Sequence, residues 1–140
     1  MNAASKVWIN GEIKDSAEVS FFPFNQAINY GATVYEGIRM YDTKSGPALF
    51  RLDEHLDRLA YSAQTLRMQT KWKKADLKQA IIDTVIANEL KSGYIRPLLF
   101  YSEQKMGINI LGSEVTSLIL TWPWEDRTES KKSYVEHFYL

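Results

Sequence analysis

The chain has 140 residues, the usual size of one domain, and its 45% hydrophobic and 24% charged residues fit a globular protein with a moderate core. Seventeen basic and seventeen acidic residues balance, which argues against a nucleic acid or an anionic membrane surface as partner. Without cysteine there is no disulfide scaffold and no thiol nucleophile, and with only His55 and His137 a metal site is not expected.

The first residues run directly into Val7-Trp8-Ile9, too short an apolar stretch for a signal peptide, and no segment nears the roughly 18 apolar residues that span a bilayer. The expected location is the cytoplasm. Asn10-Gly11, set between Val7-Trp8-Ile9 and Glu12-Ile13-Lys14, predicts a two-residue hairpin, since both turn positions require positive φ. Phe21-Phe22-Pro23-Phe24 reads as an apolar loop or strand start. Thr33 to Tyr41 suits a strand, and Thr43-Lys44-Ser45-Gly46 turns it into a second strand, Ala48 to Arg51.

Asp53 is a good N-cap for a helix in which Leu56, Leu59, Ala60, Ala63 and Leu66 form one buried face. A second helix is expected from Ala75 to Leu90, with Leu77, Ala80, Ile81, Thr84, Val85 and Asn88 on one side and Lys91-Ser92-Gly93 as its stop. Two more strands follow, Tyr94 to Tyr101 and Val115 to Trp122. This order predicts an α+β fold: an antiparallel sheet with two helices on one face. The domain is expected over 1–124, followed by a charged tail over 125–140 of no clear period.

The candidate functional residues lie mostly on the strands. Side chains alternate along a strand, so Tyr35, Gly37, Arg39 and Tyr41 share one face, and Glu36, Ile38 and Met40 the other. Gly37 between an aromatic and an arginine leaves room for a ligand against the backbone, or else marks a bulge. An arginine there can grip a carboxylate with two parallel hydrogen bonds. Tyr94 and Arg96 repeat the pattern: a guanidinium beside a phenol needs an anionic partner or an exposed strand end. Pro97 points to an edge strand or a bulge. Arg58 flanks the Leu56/Leu59 stripe and either reaches a phosphate or pairs locally with Asp57 or Glu54. His55 reads as a packing or capping residue, with no serine or acid placed to complete a triad. Trp122-Pro123-Trp124 is either a ligand wall or core. Neither Lys131 nor Lys132 has an apolar pocket to activate it, and nucleotide-binding glycine loops are lacking.

Trp8-Ile9-Asn10-Gly11, Asn29-Tyr30-Gly31, Val34 to Arg39, Phe50 to Leu59, Tyr94 to Pro97 and Trp122 to Trp124, in that order, resemble the class IV aminotransferases. They are most similar to the branched-chain amino acid group, which uses pyridoxal 5′-phosphate. The resemblance covers about residues 6 to 124 and implies the small N-terminal domain of a fold type IV enzyme. It also implies that Arg58 holds the cofactor phosphate and that Tyr35, Gly37, Tyr94, Arg96 and Trp124 line the substrate pocket. Tyr30 and Arg39 would lean across a homodimer interface.

The implied reaction moves the amino group of leucine, isoleucine or valine to 2-oxoglutarate, so the partners are amino acid and 2-oxo acid substrates. Two departures stand out. Glu125-Asp126-Arg127 replaces a stretch that often carries a tyrosine, and the lysine that bonds the cofactor belongs to a second domain. No catalytic residue is therefore assigned within the chain, which is expected to be inactive alone. D-amino acid aminotransferases and aminodeoxychorismate lyases share the implied fold, but Glu36-Gly37-Ile38-Arg39 and Tyr94-Ile95-Arg96-Pro97 favour the branched-chain group. The other reading is a non-catalytic module for oligomerisation or small-anion binding, favoured if residues 125–140 fold back over Tyr35 and Arg39.

Overall fold

A computed structural model describes residues 5–124, so the 125–140 tail and its packing lie outside the described residues. The chain forms β1 (Lys6–Ile9), β2 (Glu12–Asp15), α1 (Gln26–Tyr30), β3 (Thr33–Tyr35), β4 (Ile38–Thr43), β5 (Gly46–Leu49), α2 (Leu52–Thr65), α3 (Lys74–Ala87), β6 (Gly93–Tyr101) and β7 (Val115–Trp122). One antiparallel sheet runs β2-β1-β7-β6-β4-β5, and β3 also pairs with β6. This is the α+β architecture the order of elements predicts.

The Asn10–Gly11 turn forms with φ of 47° and 105°, so the β1–β2 hairpin is set by local chemistry. Alternation then gives the sheet two different faces. Trp8, Ile38, Met40, Ile95, Leu99, Tyr101 and Ile119 point to α2 and α3 and share one buried cluster with Leu56, Leu59, Leu77 and Ile81. Val7, Phe100 and Leu118 point the other way and pack against Val19 and Ala27, with Phe21 edge-on to Phe100. The helices thus cover one face, while among the described residues the other is covered only in part, by the 19–27 segment.

Several expectations change in detail. The predicted Thr33–Tyr41 strand is interrupted at Glu36–Gly37, but no residue is inserted: Tyr35 faces Leu98 and Ile38 faces Ile95, the same step on both strands. The cause is Pro97, which has no N–H to donate opposite Glu36. Its carbonyl still accepts the Glu36 N–H at 3.0 Å. Pro97 therefore lies in an interior strand, and neither the bulge nor the edge reading holds. Strand β5 closes at Leu49, before Phe50 and Arg51.

Helix α2 starts one residue before Asp53, after Arg51 in the left-handed region (φ 50°), and Asp53 instead pairs with Lys78 at 2.8 Å. Helix α3 opens at Lys74, where Asp76 accepts the Lys73 N–H at 2.8 Å. It closes at Ala87 rather than Leu90, with Asn88 as C-cap and Glu89 at φ 52°. Gly93 serves the sheet instead: a Cβ there would lie 2.6 Å from the Trp122 carbonyl oxygen.

Candidate active site

The end of the second sheet face that the 19–27 segment leaves uncovered among the described residues gathers most of the predicted residues. Cross-strand partners point the same way, and Arg39 pairs with Tyr94, Tyr94 with Trp122 and Arg96 with Leu120. Tyr94 stacks on Trp122 with ring centroids 4.8 Å apart and leans on Trp124 at 5.5 Å. The Arg96 guanidinium lies 4.6 Å from the Tyr35 ring centroid, 5.5 Å from Tyr94 and 5.6 Å from Trp122. Arg39 lies 5.3 Å from the Trp124 ring and 5.4 Å from Tyr41. Both guanidinium groups are thus held against π faces, which attract a cation.

Arg96 is half-buried and makes no ion pair with an acid among the described residues. Its Nε is fully buried without a hydrogen-bond partner, and its Nη2 makes only a long 3.4 Å contact to the Tyr94 hydroxyl. A cation so placed is suited to an anion from outside the domain. Gly37 fits this cluster differently from the sequence reading. The space beside it is filled by the Tyr94 phenol, whose oxygen would lie 1.8 Å from a Cβ on Gly37. The glycine seats a side chain of the pocket rather than a ligand.

Arg58 is not in this cluster. It projects from α2 on the helix side of the sheet and donates from Nε and Nη2 to the two carboxylate oxygens of Glu36, each at 2.5 Å. His55 Nδ1 lies 2.9 Å from Glu36 Oε2. Burial by itself raises the Glu36 pKa, but the hydrogen bonds from Arg58 and His55 outweigh it and hold the carboxyl below its ordinary value. The same pairing raises the Arg58 pKa further.

The local partners expected for Arg58, Asp57 and Glu54, go instead to Lys74 at 2.6 Å and Arg51 at 3.0 Å. The acid that sequence reasoning did not find for His55 is Glu36. Because Glu36 is the residue between Tyr35 and Gly37, Arg58 and the Arg96 cluster lie on opposite sides of one strand.

Tyr30 stands apart, at the end of α1. Its hydroxyl accepts the Gly107 N–H at 3.2 Å, and it borders a cavity of about 310 Å³ with Gln26, Leu66, Tyr101 and Ile108. Gln26 donates to the Gly107 and Asn109 carbonyls at 2.9 and 2.8 Å, so α1 fixes the shape of the β6–β7 loop. A larger hollow of about 690 Å³ lies between that loop and the α2–α3 connection, and no predicted site residue lines it. Among the described residues there is no group of side chains fit to hold a metal ion, and no helix long and apolar enough to cross a membrane.

An antiparallel sheet backed by two helices is the arrangement of the small N-terminal domain of the fold type IV aminotransferases. Residues 33–138 match the family described as amino-transferase class IV, and the chain belongs to that family. It is similar to the branched-chain-amino-acid aminotransferase of Pseudomonas aeruginosa, 36% identical over 118 residues, which are 84% of this chain and 38% of that protein. The Escherichia coli protein of that name is 37% identical over 122 residues, 86% of this chain and 40% of the relative.

Among solved structures, that of the Escherichia coli branched-chain amino acid aminotransferase superposes with a TM-score of 0.84 at 36% identity, covering 89% of this chain and 41% of that one. The branched-chain amino acid aminotransferase from Thermobaculum terrenum, solved in its PLP-form, gives 0.81 at 27% identity, covering 92% of this chain and 43% of that one. The chain thus spans about two fifths of the length of the curated relatives it matches.

Proposed function

We propose that this chain is the N-terminal portion of a branched-chain amino acid aminotransferase, moving the amino group of leucine, isoleucine or valine to 2-oxoglutarate with pyridoxal 5′-phosphate. It would work in the cytoplasm as a homodimer, with amino acids and 2-oxo acids as substrates. The observation that carries the reading is Arg96: a half-buried guanidinium with no acid partner among the described residues, held between Tyr35 and Tyr94 on the sheet face away from α2 and α3. The rings of Tyr35, Tyr94, Trp122 and Trp124 suit a branched side chain, and the guanidinium suits a substrate carboxylate.

The residues present fit the cofactor. Arg58 is an exposed guanidinium whose Glu36 pair uses Nε and Nη2 only, so Nη1 is left to hold a phosphate dianion. When bound, pyridoxal phosphate supplies a carbonyl that takes up the amino group and a ring that withdraws electrons from the substrate. This chain's part is to bind and orient. Arg96 and Tyr94 would hold the carboxylate, Tyr35 and Trp124 would wall the side-chain pocket, and Gly37 admits Tyr94 to its place. Tyr30 and Arg39 would serve the site of a second copy across the dimer interface. The amine that bonds the cofactor and moves the α-proton would come from a second domain, so the chain by itself is expected to be inactive.

Co-expression with the C-terminal portion of the Escherichia coli relative tests this. The expected result is a bound-cofactor absorbance band and leucine-dependent formation of glutamate from 2-oxoglutarate. A complex that binds the cofactor but takes no amino group from leucine would assign the chain to another activity of the same family.

A further inference from the structure

The buried acid of the site is Glu36, and nothing in the proposed chemistry above uses it. Its side chain is 5% exposed, yet it accepts hydrogen bonds from two residues of α2: both carboxylate oxygens go to Arg58, and one also to His55. A buried carboxylate is costly unless it is fully paired, and here the pairing reaches an arginine whose own side chain is 65% exposed. That asymmetry is informative. An exposed arginine ordinarily samples many rotamers, a freedom that any ligand it grips must remove. Glu36 removes it beforehand. Its two-point contact fixes the guanidinium plane and spends Nε and Nη2, so that the remaining edge is presented in one orientation.

The strand explains why the acid sits here. The ladder is interrupted opposite Pro97, and Glu36 alternates away from Tyr35 and Gly37, so its side chain points to α2 while its neighbours face the Arg96 cluster. We infer that Glu36 is a positioning residue: it pre-sets Arg58, with His55 as its second donor, for the phosphate of the cofactor. This rests on the reading of Arg58 as the phosphate ligand. The groups that face the Glu36 carboxylate are Arg58 and His55, one cation and one titratable imidazole on successive turns of α2.

The test titrates the full 140-residue chain with pyridoxal phosphate at neutral pH, reading affinity by isothermal calorimetry in wild type, Glu36→Gln, Glu36→Asp and Arg58→Ala, and following the Arg58 Nε–H resonance by NMR in the three that keep Arg58. Wild type is expected to show a saturable shift, and Arg58→Ala to lose the corresponding binding. Glu36→Gln keeps the shape but sets an amide N–H₂ against an arginine donor, and is expected to weaken binding about tenfold and broaden the resonance.

Glu36→Asp, one methylene short, is expected to fall between, because its charge is kept and its reach is not. A purely structural Glu36 would lower the unfolding midpoint and leave the affinity of the folded chain unchanged, which overturns the inference. A tighter Glu36→Gln overturns it too, since Glu36 would then compete with the phosphate for Arg58. If Arg58→Ala binds as well as wild type, the phosphate reading itself fails, and the role given to Glu36 fails with it.

Discussion

The hydroxyl of Tyr94 occupies the place of a side chain on Gly37: a Cβ built there would lie 1.8 Å from the oxygen and 2.7 Å from the ring carbon that bears it. The ring cannot swing aside cheaply, because it is stacked on Trp122 at 4.8 Å. Gly37→Ala is therefore expected to cost about 1–3 kcal/mol in urea unfolding, the range for overpacking. In a Tyr94→Ala background the same substitution should cost less by about 1 kcal/mol or more, a coupling that a double-mutant cycle reads directly. Additive losses would show that the two residues do not share that space.

Arg96 sets function against stability. Its half-buried guanidinium has aromatic neighbours but no acid among the described residues, so replacing it with an apolar chain of similar length removes an unneutralised charge. Arg96→Met is expected to leave the chain within about 1 kcal/mol of wild type, or more stable, by urea unfolding. In the enzyme completed with a second domain, the same change should raise KM for the 2-oxo acid about 10- to 100-fold, the loss of one charge-assisted grip worth about 1.5–3 kcal/mol. The contact is remote from the reacting bond, so kcat should change much less. Unaltered KM would remove Arg96 from the substrate site.

Much of the fold was legible because the chain obeys short-range rules. Asn10–Gly11 forces its hairpin, the Leu56/Leu59/Ala63 stripe orients α2, and strand alternation sorts Glu36, Ile38 and Met40 from Tyr35, Gly37 and Arg39. Helix α1 escaped because five residues are too few for a periodic stripe. Its signals were the caps: Asn25 Oδ1 accepts the Ile28 N–H at 2.8 Å, and Gly31 follows at φ 66°. The Arg58–Glu36 pair was illegible for another reason. It joins residues 22 apart on a helix and a strand, and which acid an exposed arginine meets depends on how α2 lies across the sheet. Pro97 predicts an edge strand or a bulge and stands instead in an interior strand with no inserted residue, since the sheet can spare one N–H opposite the Glu36 interruption.

Asn88 ties the end of α3 to the first strand. Its Oδ1 accepts the Lys6 N–H at 2.9 Å, while Nδ2 lies 2.8 Å from the Lys6 carbonyl and 3.0 Å from both the Thr84 carbonyl and Thr121 Oγ1. Asn88→Ala is expected to cost about 2–3 kcal/mol, since it strands both backbone groups of Lys6 at a part-buried position. Asn88→Asp should be at least as costly. It keeps the acceptor but turns a second acceptor towards two carbonyl oxygens. A cost under about 0.5 kcal/mol for either variant would mean that water replaces the clamp without loss.

Glu36 also predicts how stability responds to acid. Its carboxyl is held below the ordinary glutamate value of 4.5 despite burial, because Arg58 and His55 donate to the charged form. The unfolded chain therefore takes up this proton at a higher pH than the folded one. The contribution of Glu36 is fully present above pH 4.5 and is lost as pH falls from there through the lower folded value. Between those limits the unfolding free energy of wild type should fall more steeply with acid than that of Glu36→Gln, which has no proton to take up. Urea unfolding at half-unit steps from about pH 6 to 3 measures the difference, and parallel curves would mean that the Arg58–Glu36–His55 pairing does not hold the folded carboxyl in its charged form.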